Sequence, residues 1–88
     1  MLSFLVFGKT GCPICKKVYQ KIEYFKNKYL PEGKVIYYDL ETVDGLAEGS
    51  YRDISGVPTV LLEKDGEEIG RWEKIPPTYK NLRELLNL

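Results

Sequence analysis

The two cysteines of the chain stand three residues apart, in Cys12-Pro13-Ile14-Cys15, a spacing that suits reversible thiol–disulfide chemistry. With no other cysteine and no histidine, one copy of the chain cannot supply the four Cys or His ligands of a closed zinc site. A purely structural bridge is also a poor use of the pair. Closing so short a loop constrains the unfolded chain by only ~2 kcal/mol in the chain-entropy picture. The motif therefore reads as a redox pair.

Its flanks place it where a strand gives way to a helix, and each position then has a physical use. Cys12 falls at the helix N-cap, where unpaired backbone N–H groups and the positive end of the helix dipole favour a thiolate over a thiol. Pro13 takes the first helical position, where its missing N–H costs nothing. Cys15, one turn on, is within reach of Cys12 but away from the end of the dipole. The asymmetry makes Cys12 the expected attacking thiolate and Cys15 the expected resolving thiol. Lys9 and Lys16 are close enough in sequence to add positive potential, while Pro13 and the apolar Ile14 are expected to face the substrate.

Around the motif, strand and helix signals alternate without a repeat or linker, which argues for one α/β domain over residues 1–88. Leu2 to Phe7 is a continuous apolar run closed by Gly8, the pattern of a strand buried on both faces. From Pro13 to Tyr29, Ile14, Val18, Ile22, Phe25 and Tyr29 recur at helical spacing, with lysines on the other side. Val35 to Leu40 reads as a second strand. Thr42 to Arg52 reads as a short helix with Leu46, Ala47 and Tyr51 on one stripe, weakened by Gly45 and Gly49. Thr59–Glu63 and Glu68–Trp72 flank Asp65-Gly66, the mark of a tight hairpin of the primed type. Thr78 can cap a last helix bearing Tyr79, Leu82, Leu85 and Leu86 on one face. The expected order is βαβαββα. Tyr37, Tyr38 and Tyr51 read as core and sheet surface, Trp72 as a cross-strand packing partner, and the charges from Glu63 to Glu68 as a solvated hairpin tip.

Composition narrows the function. Thirteen basic and thirteen acidic residues cancel, so no summed field draws the chain to nucleic acid. The apolar start is too short, and lacks the basic leader, for a signal peptide or membrane span. A cytoplasmic protein without membrane contact, acting as a monomer, is expected.

The βαβαββα order, the Cys-Pro-x-Cys at the strand-to-helix turn and Gly56-Val57-Pro58-Thr59 resemble the thioredoxin fold over the whole chain, and the size and Cys-Pro-x-Cys resemble the glutaredoxins. The resemblance implies a four-stranded mixed sheet flanked by three helices. It further implies a cis Val57–Pro58 bond beside Cys12, with Val57 offering its backbone to a bound substrate strand. Lys9, three before Cys12, and Glu73 match polar glutathione contacts of glutaredoxins. The chain departs from that family in having Ile14 in place of an aromatic residue and Gly70-Arg71-Trp72-Glu73 in place of a Gly-Gly pair followed by Asp. It departs from thioredoxins in an apolar first strand, where those proteins carry a buried Asp.

The expected activity is that of a thiol–disulfide oxidoreductase acting on protein disulfides, with no bound cofactor and with glutathione or a flavoprotein disulfide reductase as reductant. The alternatives are a dedicated electron donor to one partner enzyme, a module in which two chains lend cysteines to an iron–sulfur cluster, and an inactive interaction domain.

Overall fold

Successive side chains of a strand point to opposite faces of its sheet, and in the first strand both sets are apolar. The computed structural model describes residues 1–88 as β1 (Leu2–Gly8), α1 (Pro13–Tyr29), β2 (Lys34–Asp39), α2 (Val43–Tyr51), β3 (Thr59–Lys64), β4 (Glu67–Glu73) and α3 (Tyr79–Leu86). The strands form one sheet in the order β2-β1-β3-β4. β2 is parallel to β1, as the intervening helix requires, and β3 and β4 are antiparallel to their neighbours. The βαβαββα order and the mixed sheet agree with the sequence reading. β2 starts one residue earlier than its apolar content suggests, because Ser3 of β1 pairs with Lys34. Backbone pairing sets that end, not side-chain character.

The two faces are unequal. Phe4 and Val6 of β1 and Val60 and Leu62 of β3 meet Val18, Ile22 and Phe25 of α1 and Leu82 of α3 in the larger core. Leu5, Phe7 and Leu61 form the smaller one on the opposite face, with Tyr38, Leu40 and Ile54 at its rim. Trp72 packs against the larger core opposite Val60, the cross-strand role expected of it. Asp65 and Gly66 both have positive φ, as a primed hairpin turn requires. Thr78 caps α3, its hydroxyl oxygen accepting the Asn81 N–H while its own N–H donates to Asn81 Oδ1.

Two expectations are corrected on the face that α2 covers. Leu46 and Tyr51 point to solvent rather than inward, and the residues buried by α2 are Gly45 and Gly49. A Cβ on Gly45 would overlap the carbonyl oxygen of Asp39, and one on Gly49 would lie 2.6 Å from Leu40 Cδ2. The glycines that weaken the helix by propensity are what let it lie against the end of β2. Glu63 is likewise no part of a solvated tip. Its side chain is only 15% exposed and pairs at 2.9 Å with Arg52, itself 16% exposed. Arg52 also holds Glu48, and Arg71 holds Glu68 and Glu73 while donating to the Arg52 carbonyl at 2.7 Å.

Candidate active site

A proline at the first position and a side-chain acceptor just before it start a helix sharply, and α1 begins so. Pro13 is at its start, and Cys12 at the N-cap has extended backbone. Cys12 Sγ accepts the backbone N–H of Cys15 at 3.2 Å, the role an Asp or Ser oxygen fills at other helix starts. Gly11, at φ +76°, turns the chain into the cap in a conformation open to glycine. The two cysteines are joined as a disulfide, their Cα atoms 5.3 Å apart. Cys15 is buried; Cys12, Pro13 and Ile14 reach the surface.

The loop between β1 and α1 is tied to the end of β2. Thr10 donates from its hydroxyl to Asp39 Oδ2 and from its N–H to Glu41 Oε1 at 3.1 Å. Asp39 Oδ1 accepts the Glu41 N–H at 2.8 Å. These bonds, that from Thr10 first, hold the Asp39 carboxyl below its usual pKa. Lys9 lies in the same loop, exposed, its carbonyl accepting the Cys12 N–H at 3.3 Å.

From the other side comes the start of β3. Phe7 pairs with Thr59, so one step further Pro58 stands across from Gly8, and a Cβ on Gly8 would lie 2.8 Å from Cys15 Cβ. The register thus sets Pro58 across from the glycine that borders Cys15, and the Val57–Pro58 bond is cis. Pro58 is buried, and its carbonyl accepts the Lys74 N–H at 2.7 Å. Val57 precedes the strand, and its own N–H and C=O carry no internal hydrogen bond. Lys74 leads to Ile75, 77% exposed, an apolar neighbour of the site that the sequence reading did not single out. Glu73, matched by resemblance to a glutathione contact, is engaged by Arg71 at 2.9 Å. Neither surface concavity of the molecule touches the cysteines: both lie at the other end of the sheet, around Tyr29.

The sequence reading singles out neither Thr10 nor Asp39, and it reads Tyr37, whose hydroxyl oxygen stands where a Cβ on Gly8 would be, only as core or sheet surface. Asp39 and Tyr37 gain their place from the pairing of β1 with β2, a contact between distant parts of the sequence. Thr10 and Asp39 are ordinary polar residues until the loop meets the strand end. The signal that could have found Tyr37 is its position in the second strand of a βαβ unit, two residues before Asp39.

No family model and no curated protein sequence matches the chain. Solved structures do. Thioredoxin O2 from Arabidopsis thaliana, in its oxidised state, superposes with a TM-score of 0.79 at 20% identity, over 99% of this chain and 73% of that one. Thioredoxin 1 from Thermosipho africanus gives 0.78 at 16% identity, over 97% and 90%, and Fasciola hepatica thioredoxin 0.74 at 22%, over 98% and 78%. At such identities the likeness is one of architecture. With its sheet order, its three helices and Cys12-Cys15 at the start of α1, the chain has the thioredoxin fold.

Proposed function

We propose that this chain is a dithiol–disulfide oxidoreductase that reduces disulfide bonds in proteins. The observation that carries the reading is the difference between its two joined sulfurs. Cys12 is at the surface and its sulfur accepts a backbone N–H at the helix start, whereas Cys15 is sealed beneath it. In the reduced chain the Cys12 thiolate attacks one sulfur of a substrate disulfide, a mixed disulfide forms, and the other substrate sulfur leaves as a thiolate that takes up a proton. Cys15 then gives up its proton, attacks Cys12 Sγ and expels the second substrate thiolate. The chain ends oxidised by two electrons. Glutathione or a flavoprotein disulfide reductase returns them.

An extended peptide suits the surface around Cys12. The free backbone groups of Val57 offer a strand-like contact, and Ile14 and Ile75, 54% and 77% exposed, offer apolar contacts. Glutathione, small and doubly carboxylated, calls for fixed charges and a cleft, whereas here Glu73 is already paired and no concavity lies at the cysteines. No helix is long and apolar enough to cross a membrane. We place the activity in the cytosol, where the glutathione pool keeps dithiols reduced.

The test compares kcat/KM on insulin with that on a small glutathione mixed disulfide, for the unaltered chain, Cys12→Ser and Lys9→Ala. Insulin should be the better substrate, and Cys12→Ser should be inactive on both. A chain that does not speed insulin reduction beyond the reductant alone is not a protein disulfide reductase. A tenfold preference for the glutathione substrate that Lys9→Ala removes makes it a glutaredoxin.

A further inference from the structure

The N-cap solves the chemistry of Cys12 and leaves that of Cys15 unsolved. A resolving cysteine attacks as its thiolate, yet Cys15 is sealed from solvent and stands one turn beyond the helix end, where burial disfavours the charged form. β1, reading LSFLVFG, brings no charge to it.

β2 does bring a hydrogen-bond donor. A Cβ on Gly8 would lie 2.8 Å from Cys15 Cβ and would also overlap the hydroxyl oxygen of Tyr37, so these two groups converge on the space that the glycine leaves empty. The Tyr37 ring is held there by an edge-to-face contact with Tyr19, centroids 5.3 Å apart, one turn after Cys15 on α1. In the oxidised chain no protein group accepts from the Tyr37 hydroxyl, and since no sealed side-chain nitrogen or oxygen lacks a partner, the hydroxyl of this half-buried residue keeps a path to solvent and is free to turn to a better acceptor. The disulfide sulfur is a weak acceptor; a thiolate is a strong one.

We propose that Tyr37 is a positioning residue for the resolving step, its hydroxyl donating a hydrogen bond to Cys15 Sγ once that sulfur is a thiolate. The proposal rests on the thiol–disulfide reading above. In the step, the Cys15 thiol passes its proton to the substrate thiolate released first, or to water. The Cys15 thiolate attacks Cys12 Sγ, the Cys12–substrate bond breaks, the Cys12–Cys15 bond forms, and the second substrate thiolate leaves and is protonated. Tyr37 keeps its own proton throughout. Its pKa is raised above the usual phenol value, by burial first and then by Asp39, so it stays a donor across the neutral range. Titratable groups near the pair include Cys12, Lys16 and Tyr19 from α1, with Glu23 beside Tyr19, Lys9 from the loop before α1 and Asp39 from β2; β1 and Thr59 of β3 add no charge.

In the reduced Cys12→Ser chain only Cys15 titrates as a thiol, and the ultraviolet absorbance of the thiolate follows it without a reagent having to reach the buried sulfur. Adding Tyr37→Phe keeps the ring and its packing on Tyr19. It should raise the Cys15 pKa enough to make the thiolate about tenfold scarcer at neutral pH. With Cys12 restored, the same change should slow resolution of a mixed disulfide by about as much, with Cys12 alkylation in Cys15→Ser unaltered. Tyr19→Phe should leave the Cys15 titration where it is. Should Tyr37→Phe not fold, the Tyr37 Cζ chemical shift in Cys12→Ser must track the Cys15 titration. An unmoved titration or Cζ shift overturns the proposal whatever insulin shows, and so does an equal shift from Tyr19→Phe. A moved titration in a chain that turns over no disulfide upholds the hydrogen bond and overturns the reductase reading instead.

Discussion

Cys12 and Cys15 are separated by one helical turn and by most of the difference between water and protein interior. The N-cap gives Cys12 a hydrogen bond from a backbone N–H that no water need supply, together with the positive helix end. The Cys12 thiolate should therefore appear well below the ~8.5 of a free cysteine. Iodoacetamide alkylation of Cys15→Ser, followed against pH, measures it, and a rate profile centred on the free-cysteine value would contradict the assignment of the attacking sulfur. Beside it, Thr10 and Asp39 tie the cysteine loop to β2. Asp39 has its folded-state pKa lowered, first by the Thr10 hydroxyl. A carboxyl so shifted adds stability above its unfolded pKa and forfeits it as pH falls through the lower folded value. Thr10→Val should thus lower the melting temperature at pH 7, and the deficit should begin to shrink below about pH 4, where Asp39 of the unfolded chain protonates, and vanish only below the lower folded-state value. A deficit that is the same at every pH would show that the hydroxyl acts otherwise. Of these residues only the cysteine pair was legible from sequence, because cap, proline and dipole are local, whereas Asp39 and Tyr37 reach the site only through strand pairing, and Thr10 finds its partner only there.

Helices and strands were legible wherever one period dominated. α1 runs from Pro13 to Tyr29 as its apolar spacing requires, and the Asp65-Gly66 turn fixes the hairpin. α2 was found but turned the wrong way, since a rule that sends large apolar residues inward cannot see that the end of β2 admits only glycine. The two effects at Gly45 have opposite signs. Alanine gains about 1 kcal/mol over glycine in helix propensity, while overpacking costs about 1–3 kcal/mol. Here the neighbour is the Asp39 backbone, its carbonyl carbon 2.5 Å from the added Cβ, which no rotamer change relieves. Gly45→Ala should therefore destabilise the protein by up to about 2 kcal/mol on balance, measured by urea unfolding. A stabilised variant would mean that α2 rests less closely on β2. Gly8→Ala would drive its Cβ into the space between Cys15 Cβ and the Tyr37 hydroxyl, and it should push these two groups apart.

Across the whole molecule the sheet divides the stabilising interactions unevenly. Eight buried residues lie between the sheet and α1 and α3. Three lie beneath α2, and the rest of that face is covered by the ion pairs of Arg52 and Arg71. Buried apolar area stabilises by roughly 25 cal/mol per Å², whereas partly exposed ion pairs contribute on the order of 0–1 kcal/mol each. The α2 side is therefore the weaker. α2 itself has nine residues, two of them glycine, with Val43, Leu46 and Tyr51 facing solvent. It should open locally without global unfolding, while β1 and α1, which hold the cysteines against the larger core, open only with the whole protein. Native-state hydrogen exchange tests this. Amides of α2 around Leu46 to Gly49 should exchange by an opening of low free energy, nearly independent of denaturant, and those of α1 from Val18 to Phe25 at the global unfolding free energy. Reducing the disulfide should change neither class strongly, because Cys12 and Cys15 share one turn of the stable helix. If α2 and α1 exchange with one common free energy, the two faces form a single cooperative unit and the small core beneath α2 is stronger than its three residues imply.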